Sequence, residues 1–275
     1  MRIYHRRPAA ALASIIDRYW GWDTRAARAV RLLPQMPGPG GMEIFFHFGT
    51  PFVDNTTPAP AAHIVCQRTG PAMLQATPSL DFMAVRVRSG AISLLTDIPV
   101  CDLADRILPA DVLWGHAARE LHERLALAGS VEARAALLDA FFLARLRPMP
   151  TGRDIRPAIA RLQNEQIPID ELRSLTGLGR RQLEIRFRQT TGHSPVRFRR
   201  LSRLRRSIRT LLLAPPDRSL TQLLDAAFVD QSQQVHEFRA LTHFTPSQLR
   251  RAVLDGDAHF YNPPWPVAPI LDCRS

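Results

Sequence analysis

The feature that most constrains the fold is a helix-turn-helix pattern that occurs twice in the C-terminal half of the chain. The first copy begins at Ile167 and the second at Ser219, and they end on a Ser-Pro step at Pro195 and a Thr-Pro step at Pro246. In such a unit a short helix, a tight turn and a second helix follow one another, and the second helix can enter the major groove of DNA. The pattern predicts a C-terminal half that is all helix.

In the first copy the spacing predicts a scaffold helix over Ile169–Leu175 and a turn over 176–179, with a glycine where the backbone needs freedom. A recognition helix is predicted from Arg180 to Gln189. Leu183 and Phe187 are four residues apart, so both should face the core. We expect the side chains offered to DNA to be Arg180, Arg181, Glu184, Ile185 and Arg188.

A linking helix is predicted from about Pro195 to Leu213, which spans about 27 Å. With the width of the units added, the two recognition helices can lie about 34 Å apart, one turn of DNA. The inner side should carry Val196, Leu201, Leu204, Ile208, Leu211 and Leu212. The outer side should carry Arg199, Arg200, Arg203, Arg205, Arg206 and Arg209. A solvated face explains this arginine run as well as contact with phosphates does.

In the second copy Asp230 is a good N-cap for a helix, and Gln233 can reach back to it as in a capping box. Phe238 and Leu241 are core positions. The groove-facing side chains are expected to be Gln231, Ser232, Gln233 and His236, and glutamine suits a bidentate contact with adenine. Phosphate contacts are assigned to Arg197, Arg203 and Arg239.

The charge of the chain agrees with a nucleic-acid partner. All 36 basic residues are arginine, and the formal net charge is +11. Residues 151–255 hold 19 arginines against 10 acidic residues, whereas residues 1–150 hold 16 against 13. The positive charge is therefore concentrated in the half that contains the repeat, where it would attract phosphates.

The N-terminal half reads as β-rich. A Pro/Gly-rich loop over residues 33–42 is expected to separate an N-terminal helix from a strand at 43–48. One face of that strand should carry Ile44, Phe46 and Phe48, and the other Glu43, Phe45 and His47. Residues 82–88 predict a half-buried strand, with Met83, Val85 and Val87 inward and Arg86 and Arg88 outward. Two largely apolar faces indicate a sandwich or a small barrel.

From Asp102 the hydrophobic period changes to that of helices, predicted at 113–127 and 131–146, with Ser130 as the N-cap of the second. The second helix is apolar enough to pack against another protomer, which makes a homodimer one interpretation. Burial within its own domain is the other. The residues in question are Leu137, Leu138, Phe141 and Phe142.

The predicted domains are 1–147 and 153–254, joined by a linker at 148–152, and a Pro-rich tail over 255–275 is expected to lie along the surface.

The sequence offers little for an enzyme or a metal site. Its 3 cysteines are scattered, which argues against disulfides and for a reducing cytoplasm. His63 and Cys66 have a ligand-like spacing, but no second pair completes a zinc site. His47, His63 and Glu43 are the best candidates for catalysis, yet they lack a catalytic pairing. We therefore expect no catalytic residue, no metal, no cofactor and no membrane span.

The C-terminal half, about residues 152–252, resembles the AraC/XylS family of bacterial transcription regulators. The matching residues are Leu183, Phe187, Thr191, Gly192, Ser194, Pro195, Arg203, Leu211, Asp230, Gln231, Ser232, Phe238, Arg239, Thr245 and Pro246. The departures from the family pattern are Ile185 in place of arginine, Ala227 and His243 in place of glycine, and Gln234 in place of phenylalanine or leucine. The resemblance implies a seven-helix domain that binds DNA through two helix-turn-helix units.

The N-terminal half resembles the sensor-side domain of one subgroup of these regulators, at residues 19–20, 33–34, 43–49, 82–91 and 113–125. The predicted fold class is thus α+β, with a β-rich N-terminal domain of barrel or sandwich type with trailing helices, and an all-α C-terminal domain. The predicted function is a sequence-specific transcription regulator that binds two successive major grooves. Further partners are RNA polymerase and an unidentified small-molecule or protein effector. The alternatives are an architectural DNA binder without sequence preference and an enzyme built on the β domain.

Overall fold

The computed structural model describes residues 2–23, 32–39, 41–54, 56–77, 79–148, 154–165, 167–227, 231–257 and 259–260. The N-terminal part is built on antiparallel sheets and the C-terminal part is helical, as the sequence predicts. None of the helices in these ranges is long and apolar enough to cross a membrane.

Two sheets form the N-terminal part. The strands are β1 (Arg2–Arg6), β2 (Ile16–Asp23), β3 (Met42–His47), β4 (Val53–Asp54), β5 (Thr57–Pro58), β6 (Ala62–Cys66), β7 (Leu74–Gln75), β8 (Asp81–Val87) and β9 (Ile107–Pro109). The larger sheet has the order β1-β2-β8-β3-β6-β9, and the smaller one the order β5-β4-β7. Each pairing within them is antiparallel.

The larger sheet is apolar on both faces because its central strands alternate between two cores. On β3, Ile44 faces a core that includes the trailing helices, and Phe45 faces a second, aromatic core. The prediction of a half-buried strand at 82–88 was wrong, since Phe82 and Ala84 are fully buried on the face opposite Val85. A strand buried on both faces must be central, and β8 indeed lies between β2 and β3.

The segment before the Pro/Gly-rich loop corrects another expectation. The predicted N-terminal helix is absent from the described residues, where β1 and β2 pair from Arg2↔Asp23 to Arg6↔Tyr19. A short apolar run fits a helix or a strand equally well, and here sheet pairing decides. The sequence also did not predict β9, which pairs with β6 and closes one edge of the sheet.

In the described residues α1 (Val100–Leu103) precedes β9, and α2 (Asp111–Trp114), α3 (His116–Leu127) and α4 (Val131–Leu143) follow it. The Ser130 side chain accepts a hydrogen bond from the Ala133 amide at 3.0 Å, so the predicted N-cap is confirmed. Leu138 and Phe142 are fully buried in their own domain. The apolar face that suggested a second protomer is therefore explained within one chain.

The C-terminal part has seven helices in the described residues: α5 (Arg156–Asn164), α6 (Ile169–Thr176), α7 (Arg180–Thr191), α8 (Pro195–Leu213), α9 (Leu220–Ala227), α10 (Gln231–Thr242) and α11 (Pro246–Leu254). The bounds of α8 are those predicted, and α7 ends two residues later than predicted. The predicted linker lies mostly outside the described residues, and so does the predicted N-cap Asp230.

Each of the two parts contributes side chains to the hydrophobic core of the other. Leu33 and Met36, from the Pro/Gly-rich loop, pack with Leu211 and Phe238 in the core of the second helix-turn-helix unit. In the other direction, Phe260 enters the aromatic core of the larger sheet. The prediction that the tail lies along the surface was therefore wrong for Phe260. Its apolar ring is buried because the aromatic core of the sheet lies close to the end of α11.

Candidate nucleic-acid interface

The first helix-turn-helix unit is α6 and α7, joined by a left-handed glycine. Gly177 has φ +60°, a conformation that glycine adopts without a steric cost. The Thr176 hydroxyl donates to the Leu172 carbonyl at 2.7 Å, which ties down the end of α6. The predicted turn is thus confirmed, and it sets the angle at which α7 leaves the unit.

The faces of α7 divide as the spacing predicts. Leu183 and Phe187 are buried in the core of the first unit. The predicted DNA-facing side chains, Arg180, Arg181, Glu184, Ile185 and Arg188, are all exposed. Ile185 is 48% exposed although it is apolar.

The turn after α7 has a defined set of hydrogen bonds. The Thr191 hydroxyl donates to the Phe187 carbonyl at 2.7 Å, and it accepts from the His193 amide at 3.3 Å. Gly192 has φ +73°, and the Gln67 side chain lies so close that a Cβ atom at this position would overlap it. The Ser194 hydroxyl then caps α8.

The turn after α10 repeats this arrangement with different residues. The Thr242 hydroxyl donates to the Phe238 carbonyl at 2.8 Å and accepts from the Phe244 amide at 3.2 Å. Thr245 begins α11 with a capping box to Gln248. His243 takes the left-handed position, with φ +63°. The two units therefore share one local structure, and the histidine occupies the position that glycine holds in the first.

The linking helix α8 differs from the prediction on both sides. Val196 was expected inside but is 58% exposed, and Phe198 takes the core position, edge-to-face with Phe187 at 5.1 Å. On the side expected to face solvent, the Arg206 guanidinium donates to the Gln163 carbonyl at 2.8 Å. Arg205 and Arg209 line a cleft of about 320 Å³ between the two parts. These three arginines thus face other protein segments, which the residue spacing alone could not reveal.

Glu237 on α10 joins the second unit to α8. Its carboxylate accepts from the Arg200 Nε at 2.5 Å and from an Arg203 guanidinium nitrogen at 2.9 Å. Sequence reasoning missed this residue, because only the fold brings α8 and α10 together. Arg203, expected to contact phosphate, here holds the predicted second recognition helix.

Arg250 on α11 is a second residue that the sequence did not single out. It is buried, and its guanidinium donates to the carbonyls of Leu211, Ala214 and Pro215 at 3.1, 2.9 and 2.6 Å. The last carbonyls of a helix have no partner within it. Arg250 thus fixes the end of α8 to the second unit.

The other predicted contacts lie on α10 and at the start of α8. Gln231, Ser232 and Gln233 lie in the first turn of α10, and their side chains are outside the described part of the structure, as is that of Gln234. The exposed side chains among the remainder are His236, Arg239 and Arg197.

The β domain brings two of the enzyme candidates together. The rings of His47 and His63 stack at 5.3 Å inside the aromatic core. Burial lowers the pKa of His63 to about 4, and it holds the pKa of His47 well below its usual range. Glu43 is neutralised by Arg86, whose Nε donates to its carboxylate at 2.6 Å. Within the described residues no three histidine, cysteine or acidic side chains are grouped as a metal would need.

Comparison with known families matches the two parts separately. Residues 173–252 match a helix-turn-helix domain family. These residues form an AraC-type helix-turn-helix domain, so the chain is a DNA-binding transcription regulator. Residues 4–109, which precede the AraC-type domain, match a domain of unknown function, DUF6597.

Solved structures of ToxT from Vibrio cholerae resemble the whole chain distantly. One with an unsaturated fatty acid bound is 11% identical, with a TM-score of 0.45, and covers 92% of this chain and 99% of its own. Another is 12% identical, with a TM-score of 0.43 and coverages of 91% and 97%. A third, bound to (E)-4-(8-methylnaphthalen-1-yl)but-3-enoic acid, is 12% identical, with a TM-score of 0.42 and coverages of 92% and 98%. No curated protein matches the chain.

Proposed function

We propose that one chain binds two successive major grooves of a DNA duplex, with α7 in the first groove and α10 in the second. The observation that carries this proposal is the repeated structure of the two units at the two ends of α8, a helix of 19 residues or about 28 Å. Arg250 and Glu237 fix α8 to the second unit. The spacing of the two reading helices is then close to the ~34 Å turn of DNA.

Side chains on these two helices are proposed to read the DNA sequence. The bases that they prefer depend on the chemistry of each side chain. Arginine prefers guanine and glutamine prefers adenine in the major groove. The proposed base-reading residues are Arg180, Arg181, Glu184, Ile185, Arg188, Gln231, Ser232, Gln233 and His236. Arg197 and Arg239, both exposed, are proposed to contact phosphates. Arg203 is reassigned from phosphate contact to positioning α10, since Glu237 binds it.

We also propose that an effector binds the N-terminal domain, 1–147, and thereby changes the activity of the DNA-binding domain, 153–254. Three contacts between the parts support it. Helix α1 packs against α7, Gln67 lies against Gly192, and Met36 packs in the second unit. A rearrangement of the sheet would therefore reach both reading helices. RNA polymerase is proposed as a further partner. Because DNA and RNA polymerase are both found in the bacterial cytoplasm, we propose that the protein acts there.

Selection of bound sequences from a random DNA pool tests the proposal. We expect enrichment of one motif whose two halves are centred about 10 base pairs apart. Binding without enrichment would instead indicate an architectural DNA binder, and a motif of one half only would contradict the role of α10.

A further inference from the structure

A cleft between the two parts of the chain is lined by arginine side chains from both. Its volume is about 320 Å³, which is in the range of sites that hold small molecules. Each part contributes three of these arginines, and the site that they form is called the arginine cleft below: Arg18, Arg86, Arg88, Arg156, Arg205 and Arg209. Like charges gathered where two domains meet oppose the contact between the domains.

The ion pairs around the arginine cleft leave Arg209 without a counter-charge. Asp17 is the carboxylate among the described lining residues, and the ion pairs at 2.6 to 3.2 Å are those of Asp17 with Arg18 and Arg88, Glu43 with Arg86, and Asp154 with Arg156. Arg209 is half-buried and has no ion-pair partner among the described residues. Burial lowers its pKa, and the charges of Arg18 and Arg86 lower it further against a weaker opposite effect of Asp17. The cleft is therefore positive at Arg209 even with the ion pairs in place.

A smaller cleft of about 90 Å³ adjoins the arginine cleft, and Arg86 and Arg205 line both. Arg68 also lines the smaller cleft. Its Nε and Nη2 are buried and have no hydrogen-bond partner within the part of the chain that the structure describes. Burial lowers the pKa of Arg68 by more than the charges of Asp54 and Asp105 raise it. Buried N–H groups are normally paired, and a bound anion would supply the missing acceptors.

The rest of the lining indicates the chemical class of the anion. It consists of two hydroxyl groups, two amides and two small apolar side chains: Ser14, Ser89, Gln163, Asn164, Val87 and Ala160. An acyl chain or an aromatic ring would therefore bury little apolar surface in the arginine cleft. Guanidinium groups bind phosphate oxygens through paired, charge-assisted hydrogen bonds. Several arginines on opposite walls favour an anion with more than one phosphate group.

An anion in the arginine cleft would contact both parts at once. Two of the arginines lie on β2 and β8, and two others lie on α8. The loop that follows β8 already packs on the helices, because a Cβ atom at Gly90 would meet the side chains of Ile159 on α5 and Thr190 on α7. The two parts are thus in contact beside a cleft whose charges repel, and a bound anion would turn that repulsion into attraction.

We propose that the arginine cleft binds a small anion with two or more phosphate groups, and that this anion holds the N-terminal part against the DNA-binding domain. The inference goes beyond the proposed function, because neither the binding nor the contact between the parts requires that α7 or α10 reads a DNA sequence.

Inorganic pyrophosphate is the probe, and calorimetry on the full-length chain measures its binding. The ionic strength is held constant with sodium chloride, because salt screens exposed charges. We expect one pyrophosphate per chain, and at least tenfold weaker binding of both inorganic phosphate and octanoate. An affinity for either of them equal to that for pyrophosphate would overturn the class of the ligand. No binding of pyrophosphate by the wild-type chain would overturn the proposal.

Two variants place the binding in the arginine cleft. Arg209→Gln removes a charge from the α8 side, and Ser89→Asp adds a carboxylate from the sheet side, so each should bind pyrophosphate at least tenfold more weakly. Arg199→Gln is the control, because it removes the same charge from α8 at a position that does not line the cleft. It should bind pyrophosphate within twofold of the wild-type chain. Equal losses in Arg209→Gln and Arg199→Gln would indicate attraction by net charge alone and would overturn the site.

Thermal unfolding and hydrogen exchange test the contact between the parts. Pyrophosphate at 100 times its Kd should raise the Tm of the wild-type chain by about 5 °C. Arg209→Gln and Ser89→Asp should each have a higher Tm than the wild-type chain without pyrophosphate, because the repulsion is relieved, and should gain nothing from pyrophosphate. A lower Tm in both variants would overturn the repulsion. Exchange should slow in both β8 and α8 when pyrophosphate binds, and slowing in one alone would overturn the bridging of the two parts.

The backbone phosphates of DNA are the other source of the same chemistry. Without pyrophosphate, Arg209→Gln should bind random DNA within twofold of the wild-type chain, whereas Arg197→Gln, at a proposed phosphate contact, should bind it at least threefold more weakly. Equal losses would assign the arginine cleft to DNA and overturn the proposal. Failure of the proposed function is a different result, namely a wild-type chain that binds pyrophosphate but selects no DNA sequence.

Discussion

At the scale of single residues, the two turns that follow the reading helices show how one structural position can hold different residues. Gly192 and His243 both have positive φ and both follow a threonine whose hydroxyl closes the helix. At the first site the positive φ favours glycine, and a Cβ atom would also displace the Gln67 side chain. The second imposes only the backbone strain, which a histidine tolerates at a cost of about 1–2 kcal/mol.

Replacement of His243 by glycine should therefore stabilise the protein. We expect the free energy of unfolding in urea to rise by about 1 kcal/mol, the relief of the left-handed strain less the added freedom of glycine in the unfolded chain. His236→Gly, the same change in the interior of α10, should lower it by a similar amount. A fall at both sites would mean that the φ of His243 carries no strain.

Arg181 is the sharpest test of base reading at this scale. Arg181→Ala should cost about 1–3 kcal/mol of binding on the selected DNA and little on random DNA, because a base contact is specific. Arg173→Ala removes the same charge from the scaffold helix α6 and should affect both DNAs equally. Equal losses for Arg181→Ala on all sequences would make it a backbone contact. Gel-shift titrations measure both.

At the scale of helices and strands, the sequence predicts the bounds and buried faces of those elements that depend on local residue patterns. The bounds of α8 follow from a Ser-Pro cap and an apolar period, and the core face of α7 follows from the four-residue spacing of Leu183 and Phe187. Where the pattern was ambiguous, pairing decided instead. The predicted N-terminal helix is replaced by the strand pair β1 and β2 in the described residues, and Phe198 rather than Val196 takes the core position on α8.

In the candidate site too, the sequence predicts features that depend on local spacing but not contacts between separate helices. The exposure of Arg181, Glu184 and Arg188 follows from the helical period, so the sequence could predict it. The ion pairs of Glu237 with Arg200 and Arg203 join residues from two helices. No spacing rule connects such positions, since their proximity depends on how α10 packs on α8.

Because Glu237 forms an ion pair with Arg203, we expect substitutions at these two positions to be energetically coupled in folding, which a contact between Arg203 and a DNA phosphate would not produce. In a double-mutant cycle, Arg203→Gln and Glu237→Gln should be non-additive by about 0.5–1 kcal/mol in the free energy of unfolding. The salt dependence of DNA binding should stay the same in Arg203→Gln. A fall of the salt slope by about one unit would restore Arg203 as a phosphate contact. Glu165→Gln, which removes the surface pair of the α5 C-cap residue with Arg161, is the control for the cycle.

At the scale of the whole molecule, the domains are linked through their cores rather than through a surface contact. Leu33 and Met36 complete the core of the second unit, and Phe260 completes the aromatic core of the larger sheet. Each domain therefore lacks part of its interior without the other. This arrangement makes stability a shared property of the chain.

Met36→Ala should consequently destabilise a domain to which Met36 does not belong in sequence. We expect a loss of about 2 kcal/mol or more in the unfolding of the C-terminal domain, the usual cost of truncating a buried methionine. Hydrogen exchange of α8 and α10 reports this domain directly. Met73→Ala, at an exposed position of the same part, is the control and should leave exchange unchanged.

Buried histidines predict a loss of stability in acid. Burial, before any other cause, lowers the pKa of His5, His63 and His193 to about 4. The unfolded chain takes up protons at about pH 6.5, so the free energy of unfolding should fall between about pH 6.5 and pH 4 and stay level above.

His63, the most buried of the three, contributes at most about 1.4 kcal/mol per pH unit in that window, and the more exposed His5 contributes less. Urea unfolding at pH 7 and pH 5 measures the fall. His63→Phe should make it smaller, while His116→Phe, at an exposed position, should leave it as it is. A stability that does not change between pH 7 and pH 5 would contradict the neutral state of the buried rings.

The position of Phe260 has a consequence for the order in which the chain can fold during synthesis. The sheet leaves the ribosome first, and N-terminal domains usually fold as they emerge. Here Phe260, which completes the aromatic core of the sheet, is synthesised after all the described helices of the DNA-binding domain. A nascent chain that is halted anywhere before Phe260 therefore carries a finished sheet around an unfilled interior. We therefore expect Phe260 to enter the sheet only after the helices of the DNA-binding domain have been synthesised.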